Sequence, residues 1–220
     1  MSLPKAFLFD LNGTMIDDMG FHLEAWSRIV NEDLGGKRTR EEVKKNMYGK
    51  NEDLLFRIFG REKFSREDLN RLSIQKEKYY QKAYKPTMAL ISGLDKFIQK
   101  ASANGILMGI GSAAVPDNIN FIIDNLDIRK YFRTIISADD VANSKPDPET
   151  FLKVASGLGI DPADCVVFED APKGVESAQN AGMRCVALTT MHGREEFGMY
   201  SNVVMFISDY NDPQLESLFG

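Results

Sequence analysis

The sequence predicts an α/β fold with a parallel-sheet core and a helical-bundle cap inserted after the first strand. Three observations carry this expectation. Short apolar runs alternate with helical stretches, one long charged helical segment interrupts the alternation, and acids, small residues and turn formers gather where the apolar runs end.

In chain order, Ala6–Leu11 reads as the first buried strand, apolar throughout until its final residues. Residues 18–84 then contain no convincing strand and are rich in helix formers and charge, as in SREDLNRLSIQKEKYYQKAY. They read as a compact helical insert. Its hinges fall at Ile16–Met19 and at Tyr84–Met88, where Pro86 blocks helix continuation. The domain expectation is therefore residues 1–17 with 85–220 as the α/β core and 18–84 as the cap.

Beyond the insert, strands are expected at Leu107–Ile110, Thr134–Ser137 (the weakest), Val166–Glu169 and Cys185–Leu188. Helices are expected at Gly93–Asn104, Asp117–Leu126, Asp147–Leu158 and Lys173–Ala181. Strands in alternation with helices favour a parallel sheet covered on both faces, which explains why these strands are apolar runs rather than alternating ones.

Bulk properties narrow the function. The chain of 220 residues is 43% hydrophobic and 27% charged, as expected of a soluble globular protein. A net charge of −5 leaves no basic excess to neutralise a nucleic-acid backbone, but it does not oppose a small phosphorylated ligand. Cys165 and Cys185 sit in apolar stretches and read as reduced core thiols. No apolar run reaches membrane-spanning length, and residues 1–20 lack a signal-peptide pattern. The expectation is a cytoplasmic monomer with neither a nucleic-acid nor a membrane partner.

Four segments carry the chemistry. In Phe9-Asp10-Leu11-Asn12-Gly13-Thr14 an apolar strand delivers Asp10 at its C-terminal end, where open parallel sheets bind ligands. A carboxylate there can attack phosphorus. The second strand leads into Gly111-Ser112-Ala113-Ala114, in which a hydroxyl and backbone N–H groups suit phosphate oxygens, although a plain small-residue turn fits the tetrapeptide equally. Ser144-Lys145-Pro146-Asp147-Pro148 places Lys145 just before a helix. Val166-Val167-Phe168-Glu169-Asp170 ends a strand with paired acids, suited to a hard, oxygen-ligated cation such as Mg²⁺. Each is ordinary alone, but four strand ends converging on one sheet edge are not.

These segments, in this order, resemble the motifs of the haloacid dehalogenase superfamily of phosphotransferases. The resemblance spans essentially the whole chain and includes the stretch 174–182, GVESAQNAG. It implies a Rossmann-like core, and the helical insert resembles the cap of the β-phosphoglucomutase-like branch, which includes mutases and many small-molecule phosphatases. By that resemblance Asp10 is the nucleophile that becomes phosphorylated, and Ser112, Ala113 and Lys145 hold the phosphoryl oxygens. Mg²⁺ is organised by Asp10, the backbone carbonyl of Asn12, Asp170 and Glu169. In the cap and cleft, His22 and Trp26 share one helix face, Gly49-Lys50-Asn51-Glu52-Asp53 resembles a specificity loop in which Lys50 or Asn51 stands nearest the arginine that mutases carry, Lys76 matches a cap lysine and Asn118 a cleft-lining position.

One position departs from the pattern. Active relatives carry aspartate two residues after the nucleophile, as general acid and base; this chain has Asn12. An amide has no carboxyl proton to exchange, and such help is worth about 10²–10⁴-fold, roughly 3–5 kcal/mol of barrier. Asn12 therefore implies either an engineered substitution or a naturally slow, specialised or non-catalytic relative. The expected function is a Mg²⁺-dependent phosphatase of a small phosphorylated metabolite, a sugar phosphate foremost. A sugar phosphomutase and a non-catalytic phosphometabolite binder are the alternatives.

Overall fold

The computed structural model describes residues 3–220, and its contacts divide the chain into two compact units. One comprises residues up to Asp17 together with Ala89–Gly220; the other is Asp18–Met88. The 3₁₀ turn Lys85–Thr87 follows directly on a long helix and belongs with the helical unit, so the return to the core falls at Met88, four residues past Tyr84.

The chain opens with β1 (Ala6–Phe9), wholly buried. The helical unit follows: α1 (Met19–Arg28), continued by a π-helical turn over Ile29–Asp33, then α2 (Arg40–Lys44), α3 (Asn51–Phe59) and α4 (Arg66–Tyr84). Two starts are capped reciprocally. Thr39 Oγ1 accepts from Glu42 N–H while Glu42 Oε2 accepts from Thr39 N–H, and Ser65 with Asp68 repeats the arrangement at α4. Trp26, Ile29, Val30, Val43, Leu54, Leu55, Leu69 and Leu72 form this unit's own core.

The second unit resumes with α5 (Leu94–Ala103), β2 (Leu107–Gly111), α6 (Pro116–Asn125), β3 (Thr134–Ile136) and α7 (Glu149–Leu158). It ends with β4 (Cys165–Glu169), α8 (Pro172–Asn180), β5 (Arg184–Leu188) and β6 (Val203–Ile207). All six strands are parallel, in the order β3-β2-β1-β4-β5-β6. The α/β class and parallel sheet are as expected, with element ends shifted by a residue or two. The exception is β6, absent from the sequence reading. It is an edge strand whose residues are mostly half-buried, so its apolar signal stands out less than that of the central strands.

The topology fixes where ligands meet the sheet. From β1 the chain goes next to β2 on one side, and later to β4 on the other. Loops leaving β1 and its two neighbours therefore diverge above the middle of the sheet, the switch point at which parallel α/β sheets bind ligands. Phe7, Phe9, Phe97, Phe168 and Tyr210 pack ring on ring beneath that point, and Phe9 and Phe168 stack at 4.8 Å. Among the described residues no helix is long and apolar enough to cross a membrane.

Candidate active site

Asp10 follows directly on β1, and its N–H donates to Phe168 O at 3.0 Å, so the first carboxylate is still tied to β4. Glu169 is the last residue of β4 and Asp170 the next. Because β1 and β4 pair with Phe9 opposite Phe168, Asp10 and the acid pair emerge at one level. One oxygen from each of Asp10, Glu169 and Asp170 lies within 4.8 Å of the others, and all three residues are buried.

Three buried carboxylates repel one another, and one ammonium partly offsets them. Lys145 Nζ donates to Asp10 Oδ1 and to Glu169 Oε1, both at 2.7 Å, and rides 4.5 Å above the Phe151 ring. Burial alone would lower the Lys145 ammonium, but the charges of Asp10 and Glu169 outweigh it and hold it protonated, above its ordinary range. Asp170 shows the remaining deficit. Burial, then the charges of Glu169 and Asp10, push its carboxyl well above the usual value, against opposition from Lys145 and from Thr14 Oγ1, which donates to Asp170 Oδ1 at 3.3 Å. An all-oxygen, anionic donor set short of positive charge fits a hard divalent cation such as Mg²⁺.

Two glycines admit these side chains. A Cβ on Gly13, whose φ is +81°, would sit 2.1 Å from Asp170 Oδ2; one on Gly174 would sit 1.7 Å from Glu169 Oε1. Asn12 is half-buried in the turn after Asp10, which is closed by Gly13 N–H to Ile16 O and Met15 N–H to Leu11 O, both at 2.8 Å. Ser112 follows the end of β2, and its buried Oγ accepts from Ala114 N–H at 3.1 Å, leaving its own hydroxyl proton to donate elsewhere. Ala113 is exposed at that turn. Asn118 is buried in α6.

The loop bearing Lys145 is held by residues to which the sequence reading assigned no role. Ser177 Oγ donates to Asp147 O at 2.7 Å and Asn180 Nδ2 to Pro146 O at 3.0 Å, so part of the 174–182 stretch grips the Lys145 loop. Glu149 Oε2 accepts from Ala142 and Asn143 N–H, both at 3.0 Å. Tyr210 donates to Thr14 O at 3.0 Å and Thr190 to Gly13 O at 2.7 Å. Thr190 and Tyr210 were missed as site supports, being 177 and 196 positions from what they touch.

The helical unit contains its own buried polar cluster. Lys76 Nζ lies 2.7 Å from His22 Nδ1 and 3.0 Å from both oxygens of Glu77. His22 Nε2 is 3.2 Å from Asp18 Oδ2, which also accepts from Tyr80 hydroxyl at 2.5 Å, and the His22 and Tyr80 rings stack at 3.8 Å. Asn51 Nδ2 donates to Glu77 Oε1 at 2.7 Å. The structure thus brings His22, Lys76 and Asn51 together. Trp26 lies within the unit's apolar core, its ring 5.6 Å from Lys76 Nζ. Lys50 is half-buried ahead of α3, its N–H donating to Asp53 Oδ2 at 2.9 Å.

The fold defines an α/β protein with a buried acid cluster at its strand ends, and comparison with known proteins names the family. The chain belongs to the haloacid dehalogenase-like hydrolases, whose family model matches residues 7–188. It is 28% identical to validoxylamine A 7'-phosphate phosphatase of Streptomyces hygroscopicus subsp. limoneus, over 87% of this chain and 88% of that protein. It is 29% identical to the β-phosphoglucomutase of Bacillus subtilis, over 84% of this chain and 83% of the relative. A crystal structure of β-phosphoglucomutase from Clostridium difficile superposes with a TM-score of 0.83 at 27% identity, covering 99% of this chain and 97% of that one.

Proposed function

We propose that this protein is a Mg²⁺-dependent phosphatase of a small phosphorylated metabolite, a sugar phosphate, working through an aspartyl phosphate at Asp10. The observation that carries this reading is the Lys145 ammonium bridging Asp10 and Glu169 within a buried acid cluster. A phosphate dianion cannot approach a lone buried carboxylate; it can approach one whose charge is offset on both sides.

In the first step an Asp10 carboxylate oxygen bonds to phosphorus as the ester P–O bond breaks. Lys145 and the Ser112 hydroxyl hold phosphoryl oxygens in place. Asp10, the Asn12 carbonyl, Asp170 and Glu169 would hold the divalent cation, which supplies charge neutralisation at the transferring group. In the second step water attacks phosphorus, releasing phosphate and restoring Asp10. The leaving oxygen draws its proton from solvent, because the Asn12 amide has none to give, so the chain as it stands turns over slowly. Glu169 is shared between Lys145 and Ala171 N–H (2.9 Å), which suits it to orienting the ammonium as well as holding a cation.

The likeness to β-phosphoglucomutases supports a second reading, transfer back to another hydroxyl of the sugar instead of to water. Asn12 supports a third, a binder without turnover. Incubation with hexose phosphates and product analysis separates them: inorganic phosphate is expected, an isomerised hexose phosphate without phosphate release would mean mutase chemistry, and neither product would mean binding alone. Exposure to an acyl phosphate should leave a phosphoryl adduct on Asp10 by intact mass, long-lived because Asn12 supplies no base for its hydrolysis; its absence would overturn the catalytic reading.

A further inference from the structure

A small pocket of about 240 Å³ lies wholly within the helical unit, lined by Arg38, Glu42, Lys45, Asn46, Arg57 and Ile58. Three cationic side chains face one carboxylate there, a surplus of two positive charges. Glu42 does not reduce the surplus further by pairing tightly: its closest oxygen is 3.8 Å from Arg38, and its hydrogen bonds with Thr39 commit it to the α2 cap and hold its carboxyl below the usual range.

Arg57 is the fixed element. Its guanidinium stacks 3.7 Å from the Tyr48 ring centre, and Nη2 donates to Asn46 O at 2.7 Å and to Tyr48 O. Its Nε is fully buried and has no hydrogen-bond partner. An arginine Nε–H can only donate, and buried donors in native proteins are almost always satisfied by protein, water or a bound ion. An immobilised guanidinium flanked by two further cations has the chemistry of an oxyanion receptor. Arg38, Glu42 and Lys45 are exposed, so this is an open surface recess, suited by its size to an ion or the anionic end of a small molecule.

We propose that this pocket is a second anion site, built from residues other than those of the Asp10–Lys145 cluster, that binds a small tetrahedral dianion: inorganic phosphate or the phosphate end of a monoester. The two surplus charges match the dianion. Because Arg57 also holds the carbonyls of Asn46 and Tyr48, an occupant steadies the loop that leads into Lys50 and Asn51.

The test is a titration of the full-length ¹⁵N-arginine-labelled protein with inorganic phosphate at ionic strength held constant with chloride. The Arg57 Nε–H resonance is assigned by its loss in Arg57→Lys. A saturable shift is expected, weakened roughly tenfold or more in the Arg38→Gln/Lys45→Gln variant, which keeps the Arg57 contacts. The shift should survive Lys145→Ala. A resonance that does not move, moves equally in the Arg38/Lys45 variant, or stops responding in Lys145→Ala would overturn the proposal. Methylphosphonate, a monoester mimic that no phosphatase cleaves, is run in parallel: tighter binding than phosphate identifies an ester as the guest, weaker binding the free ion.

Discussion

The two units each bury a cluster of charged side chains, and the clusters differ in how their charges balance. In the α/β unit three carboxylates, Asp10, Glu169 and Asp170, share one ammonium. In the helical unit Asp18 and Glu77 face Lys76 and His22, with Tyr80 and Asn51 adding neutral donors. In the second cluster each carboxylate has a close hydrogen-bonding neighbour; the first sets one ammonium against three carboxylates. Burying an ionised carboxylate without compensation is costly, so the charge deficit at the strand-end switch point is what the proposed cation would fill, whereas a cluster whose carboxylates have their own donors acts foremost on the structure of its own unit.

The largest expected effect tests the acid cluster directly. Asn12→Asp restores an exchangeable carboxyl proton beside Asp10 and should raise phosphatase turnover by about 10²–10⁴-fold, roughly 3–5 kcal/mol of barrier, in steady-state assays over a panel of sugar phosphates. No gain over the panel would mean that the acid cluster is not a phosphoryl-transfer site.

The helical cluster is broken from the other side. Lys76→Met strands the Glu77 carboxylate in a buried setting and should cost about 3–5 kcal/mol in urea unfolding. Replacing both partners, Lys76→Met with Glu77→Leu, should recover most of that loss, since an ion pair exchanged for apolar groups of similar volume is close to neutral. If the double variant stays as unstable as the single, the pair is not the self-contained unit described here. The asymmetry should also show on adding Mg²⁺. A cation bound only by the folded protein at a hundredfold its dissociation constant adds about 2.7 kcal/mol, or about 5–10 °C in melting temperature for a chain of this size. Asp170→Asn should abolish that shift, and changes at Lys76 should leave it intact.

The acid cluster was legible in the sequence for a physical reason. Asp10, Ser112 and Glu169–Asp170 each stand at the C-terminal end of a short apolar strand, and a parallel sheet gathers such ends at one edge whatever lies between them. The supports were not legible. Thr190 and Tyr210 reach the site through bonds to residues 177 and 196 positions away, which no local spacing encodes. Helical periodicity placed His22 and Trp26 on one face but could not say what that face meets: His22 joins the charged cluster, and Trp26 joins the apolar core beside it. The edge strand β6 escaped because it is half-exposed, which dilutes the continuous apolar run that marked the other strands.

The smallest effect sharpens the contrast through pH. Burial, outweighing the charges of Glu77 and Asp18, depresses the Lys76 ammonium below its ordinary 10.5. The unfolded chain therefore holds this proton more tightly than the folded one. Between the depressed value and 10.5 the unfolded state carries the extra proton, so stability rises with pH across that window and levels off above it. Urea midpoints measured towards pH 10 should climb more steeply, or fall less, in the parent chain than in Lys76→Met/Glu77→Leu, which lacks the titrating amine. If the two curves run parallel, the charges of Glu77 and Asp18 offset the burial of Lys76 in full, and the depressed ammonium is not a property of this cluster.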